Sequence, residues 1–522
     1  MPLSTYPMVF LVGAGPGDPG LLTLAGKDAI TSCRVIIYDA LANPELLRHA
    51  PPSAELIYVG KQANRHTLTQ DEINELLVTK WQQQAAFAKV HSPWGNIVRL
   101  KGGDPYVFGR GGEEGQYLFA HKVPFQVIPG ITSGIAGPAY AGIPVTHRDF
   151  TSSVTLITGH QQDSNVAVGL NFDALAKLNG TLVFYMGVKT LPTLATKLIA
   201  AGMDGQTPAA IIHRATHPNQ KTYRAHLKQL CSADFCAQIA PPAITILGQV
   251  AGLSEELNWF EQRPLFGKTV LVTRTRQQAG ELSRRLIELG AMVIEAPTIE
   301  LAPPSDSAAV IQAIGRLSHA DMAIFTSVNG VHAAWDYLMQ AGRDARALPQ
   351  RVVAVGPSTA AALRQIGIIA DLMPEEFTSD KLSQAIQSHL GDVTGLRVML
   401  LRAQIARPAL RTGLEQAGAQ VEDVAMYQTR PPSALPAEAL TALSEDRISL
   451  ITFTSASTAN NLFNLLPPDL REKVRHLPKL SIGPVTTQAL ASLGWDAQLT
   501  EAAEHDIPGM IAALDRQNQV QE

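Results

Sequence analysis

The second half of the sequence contains an internal repeat, and this repeat limits the folds open to the chain. The segment G-K-T-V-L-V-T-R at 267–274 matches G-L-R-V-M-L-L-R at 395–402, 128 residues later. F-T-S-V at 325 matches F-T-S-A at 453 with the same offset, and V-G-P-S-T at 355 matches I-G-P-V-T at 482, 127 residues later. Each piece is a short apolar run followed by a turn, which is typical of a buried strand end. The repeat predicts two similar α/β lobes with a cleft between them.

Strand-like and helix-like segments alternate along the rest of the chain, which predicts an α/β fold throughout. The 522 residues exceed what one hydrophobic core holds. The alternation breaks at 254–267, so we expect two domains, 1–262 and 263–522. In the second we expect two doubly wound lobes, one at about 267–302 plus 432–520 and one at about 305–428. The strands predicted in the first domain are Val9–Val12, Val35–Tyr38, Ile97–Leu100, Val154–Thr158, Thr181–Tyr185, Ala209–Ile212 and Ala243–Leu247.

Composition excludes several classes of partner. A net charge of −4 argues against bulk binding to nucleic acid or to an anionic membrane. No apolar run reaches the roughly 18 residues of a spanning helix, and the N-terminus lacks a charged and apolar leader. The three cysteines show no metal-ligand spacing. We therefore expect a cytoplasmic protein with reduced thiols and no metal site.

A glycine-rich loop, V-G-A-G-P-G-D-P-G, follows the first predicted strand at 12–20. It differs from a dinucleotide-binding loop, because Asp18 stands where the third glycine should be. Pro16 and Pro19 also remove two N–H donors that a phosphate would need. The stretch predicts either a stiff shelf for an uncharged ligand or a plain strand-to-loop turn.

Three further stretches of the first half carry candidate binding residues. Glycines at 102, 103, 109, 111 and 112 expose the main chain after a strand, and Asp104 can accept hydrogen bonds from ribose hydroxyls. The side chains of Arg99, Lys101 and Arg110 add positive charge there. Thr132 and Ser133 stand at a helix N-cap position, where capping and ligand contact can coexist. Met186 ends a strand, and core packing is the competing interpretation for it.

These motifs resemble the tetrapyrrole methyltransferases, specifically the uroporphyrinogen-III C-methyltransferases. The resemblance covers residues 8–260 through G-A-G-P-G-D-P, V-I-I-Y-D, V-G-K, R-L-K-G-G-D-P, F-G-R-G-G-E-E, P-G-I-T-S, G-I-P-V-T-H-R, T-G-H, Y-M-G and L-N-W-F. It implies a two-lobed methylase fold, S-adenosylmethionine as cofactor with S-adenosylhomocysteine as product, and a homodimer. The cofactor contacts it implies are Pro16, Gly102, Gly103, Asp104, Val107, Thr132, Ser133, Met186 and Ala215, the last through its backbone because relatives carry glycine there.

The resemblance also implies the catalytic residues of the first half. It marks Asp39 as the base that takes a proton from the methylated pyrrole, and Lys61 as the proton donor or as a partner for an anion. The competing interpretations are a turn or capping residue for Asp39 and a solvated cation for Lys61. The substrate carries eight carboxylates, so cations such as Arg110 are expected to bind it.

The repeated motifs, together with M-Y-Q-T-R at 426–430, resemble uroporphyrinogen-III synthase over about 265–515. The resemblance implies that Ser327, Thr359, Ser455 and Thr486 bind substrate. Helix N-capping is the competing interpretation for each of these hydroxyls. Tyr427 is the implied acid, with a packing aromatic at a hinge as its alternative.

The two resemblances predict one bifunctional enzyme of tetrapyrrole synthesis. Its C-terminal half is expected to cyclise hydroxymethylbilane to uroporphyrinogen III. Its N-terminal half is expected to methylate that product twice to precorrin-2, for sirohaem and cobalamin. A non-catalytic tetrapyrrole-binding protein and a methyltransferase for a later corrin intermediate are the alternatives.

Overall fold

The structure is a computed structural model that describes residues 7–60, 68–88, 95–159, 169–274, 276–374 and 379–521. The chain divides into two compact units, Met1–Lys268 with Arg285–Met292, and Thr269–Arg284 with Val293–Glu522. The described residues form four five-stranded sheets, and helices connect most of the strands. The predicted α/β class is confirmed, whereas the domain limits 1–262 and 263–522 stay a prediction. Within the described ranges, no helix combines the length and apolarity needed to cross a membrane.

The first sheet is parallel, with strand order β3-β2-β4-β1-β5. Its strands are β1 Val9–Gly13, β2 Cys33–Tyr38, β3 Glu55–Tyr58, β4 Asn96–Lys101 and β5 Phe125–Ile128, and the helices that follow strands here are α1 Leu24–Thr31, α2 Gln70–Ala88, α3 Gly111–Ala120 and α4 Ser133–Tyr140. Apolar side chains fill both faces of the sheet, as parallel sheets require. Because the strands are parallel, the loops after β1, β2, β4 and β5 leave from the same edge.

The second sheet of this unit is mixed, with order β6-β7-β10-β8-β9. Only β6 and β7 pair in parallel. The strands are β6 Val154–Thr158, β7 Thr181–Tyr185, β8 Pro208–His213, β9 Lys221–His226 and β10 Ala243–Leu247, and the helices are α5 Phe172–Lys177, α6 Leu191–Ala200, α7 Leu227–Leu230, α8 Ala233–Ala237 and α9 Ser254–Leu257. All seven strands predicted in the first half are present. The two sheets confirm the two-lobed architecture expected for this half.

The second unit contains two further sheets. Its strands are β11 Thr269–Val272, β12 Met292–Glu295, β13 Glu300–Ala302, β14 Met322–Phe325, β15 Arg351–Ala354, β16 Arg397–Ala403, β17 Gln420–Arg430, β18 Leu450–Phe453, β19 Lys479–Ser481 and β20 Leu499–Glu501. Its helices are α10 Arg276–Glu288, α11 Ser307–Arg316, α12 Val328–Gln340, α13 Pro357–Gln365, α14 Ser379–Leu390, α15 Ala409–Gln416, α16 Ala437–Ser444, α17 Ala456–Leu465, α18 Pro468–His476, α19 Pro484–Ser492 and α20 Ile507–Gln521.

The two sheets reproduce the repeat. One has the order β12-β11-β18-β19-β20 and the other β13-β17-β16-β14-β15. The run β11-β18-β19 in the first corresponds to β16-β14-β15 in the second, and all these pairs are parallel. β13 pairs antiparallel with the end of β17 and so extends the sheet formed by β14–β17, whereas the lobe limits near 302 and 305 stay a prediction. This pairing satisfies backbone groups of two segments that lie far apart in the sequence, since the paired residues Ala302 and Gln428 are separated by 126 positions.

Candidate active sites

Three glycine loops meet at the carboxyl edge of the first sheet. The backbones of Gly15 and Gly103 exchange two hydrogen bonds, of 3.1 and 2.7 Å. A Cβ added to Gly13 would lie 2.4 Å from the nitrogen of Gly130 and 2.7 Å from the carbonyl oxygen of Gly103. Only glycine permits this approach, so the loops after β1, β4 and β5 form one assembly. Pro16 directly follows Gly15 and is half-buried, and a Cβ added to Gly102 would lie 2.4 Å from the Cβ of Leu41.

Asp104 holds this assembly together. Its Oδ1 accepts hydrogen bonds from the backbone N–H groups of Tyr106 and Val107, at 2.8 and 3.2 Å. Its Oδ2 accepts one from the N–H of Gly130, at 3.0 Å. The sequence indicated only a ribose acceptor at this position, and the structure adds a role in joining two loops.

Thr132 and Ser133 stand at the start of α4, as predicted, but the expected hydrogen bond from the helix backbone to a capping side chain is not formed by Thr132. Thr132 is the N-cap residue, yet its hydroxyl makes no capping bond. It instead lies 2.8 Å from the hydroxyl of Tyr185, which also accepts a bond from the N–H of Gly134 at 3.0 Å. Burial raises the pKa of this tyrosine. Tyr185 was missed in the sequence, although it directly precedes the predicted Met186.

Met186 does not fill the core. Its backbone has φ +52°, the left-handed region that non-glycine residues rarely adopt, and the residue is 57% exposed. Ala215 is buried and stands between two residues that also have positive φ, Arg214 and Thr216. Val107 packs against the same apolar cluster as Ala215. Such backbone geometry clusters at functional sites, which supports a ligand-binding interpretation of Met186.

The opening loop also contacts the second sheet of its unit through Asp18. The backbone N–H of Asp18 donates to the hydroxyl of Thr216 at 2.9 Å, and its carboxylate accepts from the hydroxyl of Tyr140 at 2.8 Å. Asp18, which stands where a dinucleotide-binding loop has its third glycine, therefore connects the two lobes of this unit. This contact favours the interpretation as a rigid shelf over that of a plain turn.

Asp39 follows β2 at the same sheet edge and is half-buried. Its Oδ1 accepts from the N–H of Leu41 at 3.1 Å, as in a turn, and its Oδ2 lies 3.2 Å from a guanidinium nitrogen of Arg99. Both the turn and the charge pair are present, so neither interpretation of Asp39 is excluded by these contacts. Lys61 lies outside the described residues.

The cations expected beside the glycine loops are already paired. Arg99 and Lys101 are buried, and both contact Glu114 rather than an open surface. Arg110 is exposed and forms a two-point contact with Glu113, at 2.9 and 2.6 Å. Of these three cations, only Arg110 has an exposed side chain.

In the second unit, the four predicted hydroxyls lie after the carboxyl ends of strands, in the first turns of helices. Ser327 and Ser455 are the N-caps of α12 and α17, and each accepts a hydrogen bond from a backbone N–H three residues later. Thr359 and Thr486 lie within the first turn of α13 and α19 and are buried. The capping interpretation thus holds for the two serines, and substrate binding by all four stays a prediction.

Tyr427 lies on β17, beside a bulge in its pairing with β16. Its hydroxyl is 3.0 Å from the hydroxyl of Ser327, and its ring packs on the core of lobe two. The contact joins the predicted acid to one of the predicted substrate-binding residues. It was not foreseeable from sequence, because the two residues are 100 positions apart.

Comparison with known proteins places each half in a family. Residues 8–231 match the family of tetrapyrrole (corrin/porphyrin) methylases, and residues 280–512 match uroporphyrinogen-III synthase HemD. A porphyrin biosynthesis protein HemD from Ruminiclostridium josui is 38% identical over 86% of this chain and 87% of its own length. A uroporphyrinogen-III C-methyltransferase from Bacillus subtilis (strain 168) is 38% identical over 69% of this chain and 72% of its own.

A third relative covers the N-terminal half alone. It is an S-adenosyl-L-methionine-dependent uroporphyrinogen III methyltransferase from Methanosarcina barkeri, 49% identical over 49% of this chain and 96% of its own length. The glycine-loop assembly lies within the segment matched to the methylases, and the Tyr427–Ser327 contact lies within the segment matched to the synthases. The chain therefore belongs to both families, as a uroporphyrinogen-III C-methyltransferase of the tetrapyrrole methylases fused to a uroporphyrinogen-III synthase.

Proposed function

We propose that this chain cyclises hydroxymethylbilane to uroporphyrinogen III with inversion of the last ring, and methylates that product twice to precorrin-2. Precorrin-2 then serves sirohaem and cobalamin synthesis. Family membership supplies the two enzyme classes, an S-adenosylmethionine-dependent methyltransferase and a synthase. The fusion is the observation that supports the sequence of reactions, because the product of one half is the substrate of the other.

The glycine loops suit S-adenosylmethionine. Gly103 has φ +69°, and a Cβ added there would have its nearest neighbours at 3.8 Å. The backbone of Gly103 is therefore not packed closely against other residues on this side, which leaves space for a ligand. When bound, the cofactor supplies a methyl group on positively charged sulfur. The residues that would hold it are Pro16, Gly102, Gly103, Asp104, Val107, Thr132, Ser133, Met186 and Ala215.

Asp39 is proposed to take the proton that the pyrrole carbon loses after methyl transfer. Each of its carboxylate oxygens accepts one hydrogen bond in the structure, so each keeps a lone pair for a substrate proton. Lys61 is proposed as the proton donor. Arg110, exposed at the start of α3, is proposed to bind a substrate carboxylate.

The substitution Asp39→Asn tests this assignment. It keeps the shape of the side chain and removes the base, so methylation should slow by ~10²–10⁴-fold. The dissociation constant for S-adenosylmethionine, measured by calorimetry, should stay within a few-fold, because Asp39 lies outside the glycine loops. Asp173→Asn, at an exposed aspartate in the first turn of α5, is the matched control and should leave both quantities unchanged. Near-normal turnover of the Asp39 variant would overturn the assignment.

In the synthase half, we propose that the Tyr427 hydroxyl protonates the departing hydroxyl of hydroxymethylbilane. The hydroxyls of Ser327, Thr359, Ser455 and Thr486 would hold substrate carboxylates, and the enzyme would act largely by positioning the ring ends. Supplying hydroxymethylbilane alone should yield uroporphyrinogen III, and adding S-adenosylmethionine should yield a dimethylated product. Uroporphyrinogen I alone, or a product with a single methyl group, would contradict the proposal.

We further propose that the chain works in the cytoplasm and forms a homodimer through its methyltransferase half. Light scattering after gel filtration should then give twice the chain mass of 56.0 kDa. A mass of one chain at micromolar concentration would refute the dimer.

A further inference from the structure

A group of four charged side chains lies beneath the carboxyl edge of the first sheet. Alternate residues of β4 face the core between the sheet and the helices α2 and α3, where Ile97 packs with Leu11 and Ile37. Arg99 and Lys101 occupy the next two positions on that face, and each is 3% exposed. Two cations in such a position require compensating charge, because an unpaired buried charge is very costly.

The guanidinium of Arg99 is fixed by contacts on all of its nitrogens. Its Nε donates to Oε1 of Glu114 at 3.1 Å, and its Nη1 donates to the backbone carbonyls of Ile37 and Leu100, at 3.4 and 3.1 Å. The remaining nitrogen, Nη2, donates to Oδ2 of Asp39 at 3.2 Å. The planar guanidinium of Arg99 therefore directs one N–H group of Nη2 at the carboxylate of Asp39, the proposed base.

Glu114 supplies the opposing charge from α3. It is fully buried, and its Oε1 also accepts from Nζ of Lys101 at 2.7 Å. In the part of the chain that the structure describes, its Oε2 has no hydrogen-bond partner. The two cations and two carboxylates balance, and among the described residues Glu114 is the carboxylate that pairs with both Arg99 and Lys101.

We propose that Arg99 is a positioning residue for Asp39, and that Glu114 holds Arg99 in the orientation that this requires. This inference rests on the proposed role of Asp39 as the base. Arg99 holds one carboxylate oxygen while the N–H of Leu41 holds the other, which fixes the carboxyl plane.

The test is kcat for methylation by the full chain, measured for Arg99→Gln alone and combined with Asp39→Asn. Arg99→Gln removes the contact to Oδ2 of Asp39, so kcat should fall about tenfold or more, and Arg99→Lys should restore part of it. In the Asp39→Asn background, Arg99→Gln should cause no further loss, because the residue that it positions no longer acts as a base. Glu114→Gln removes the contact to Nε of Arg99 and should show the same dependence on Asp39.

Lys80→Met is the control, because it breaks a surface ion pair of α2 with Glu55, of 2.6 Å, on the same side of the sheet. Its kcat should match that of the unchanged protein. Loss of rate by the same factor with and without the Asp39 carboxylate would show a purely structural role for Arg99 and overturn the inference. If Asp39→Asn is itself as active as the unchanged protein, the proposed function fails. If Asp39→Asn is inactive and Arg99→Gln lowers its residual rate further, only the role of Arg99 fails.

Discussion

Asp104→Asn separates the two roles of this residue, ligand contact and loop assembly. The amide oxygen of asparagine can replace Oδ1 and keep the bonds from Tyr106 and Val107. Its NH₂ group would then face the N–H of Gly130, which donates to Oδ2 at 3.0 Å in the structure. A donor would meet a donor, and the loop after β5 would lose its charged partner.

The magnitude follows from that one lost contact. A hydrogen bond to a charged group contributes about 1.5–3 kcal/mol, and the N–H left behind becomes unsatisfied. We therefore expect the loop carrying Gly130 to open about 2 kcal/mol more easily. Since 1.4 kcal/mol is a factor of ten, amide exchange in a peptide covering 125–134 should accelerate by roughly 30-fold without cofactor. Binding must then reorder the loop, so affinity for S-adenosylmethionine should fall by up to the same factor.

Hydrogen exchange followed by mass spectrometry measures the first quantity, and calorimetry measures the second. Asp173→Asn again serves as the matched control. If Asp104 acts only as a ribose acceptor, its variant will bind cofactor weakly while exchange at Gly130 stays at the wild-type rate. That outcome would refute the structural role derived from its three backbone contacts.

Four further predictions follow. Gly13→Ala should weaken cofactor binding and cost about 1–3 kcal/mol of stability in urea unfolding, because its Cβ meets backbone at 2.4 Å, whereas Gly112→Ala has open space and should be neutral. Tyr427→Phe should slow cyclisation by roughly 10²–10⁴-fold and let uroporphyrinogen I accumulate in a product assay, and a retained rate would make Tyr427 a packing residue. Burial lowers the pKa of Lys479 from its usual 10.5 to about 8. Between these two pH values the unfolded chain binds a proton at Lys479 that the folded chain does not, so the free energy of unfolding should rise with pH by up to about 3 kcal/mol. Urea titrations should show this rise in the unchanged protein but not in Lys479→Met. Separate expression of 1–262 and 265–522 should give two soluble, active proteins, and failure of either would show that the halves depend on each other.

Sequence alone determined the architecture of this protein to a large extent. The offset of 128 residues predicted two equivalent lobes, because apolar runs followed by turns mark strands whatever their partners are. The glycine motifs likewise predicted open backbone after β1 and β4, since glycine in such turns reflects local backbone geometry and close approach. These features depend on short stretches of chain, and a sequence displays them directly.

The tertiary structure decided which side chains meet. Thr132 was readable as a cap, but only the packing of β7 against α4 brings the Tyr185 hydroxyl to it. Arg99 and Lys101 looked like surface charge beside a loop, and their burial became evident only once α3 placed Glu114 over β4. The pairing of β13 with β17 likewise joins segments that no local pattern connects. Contacts of this kind depend on how elements pack across long separations in the chain, and periodicity within one element carries no information about them.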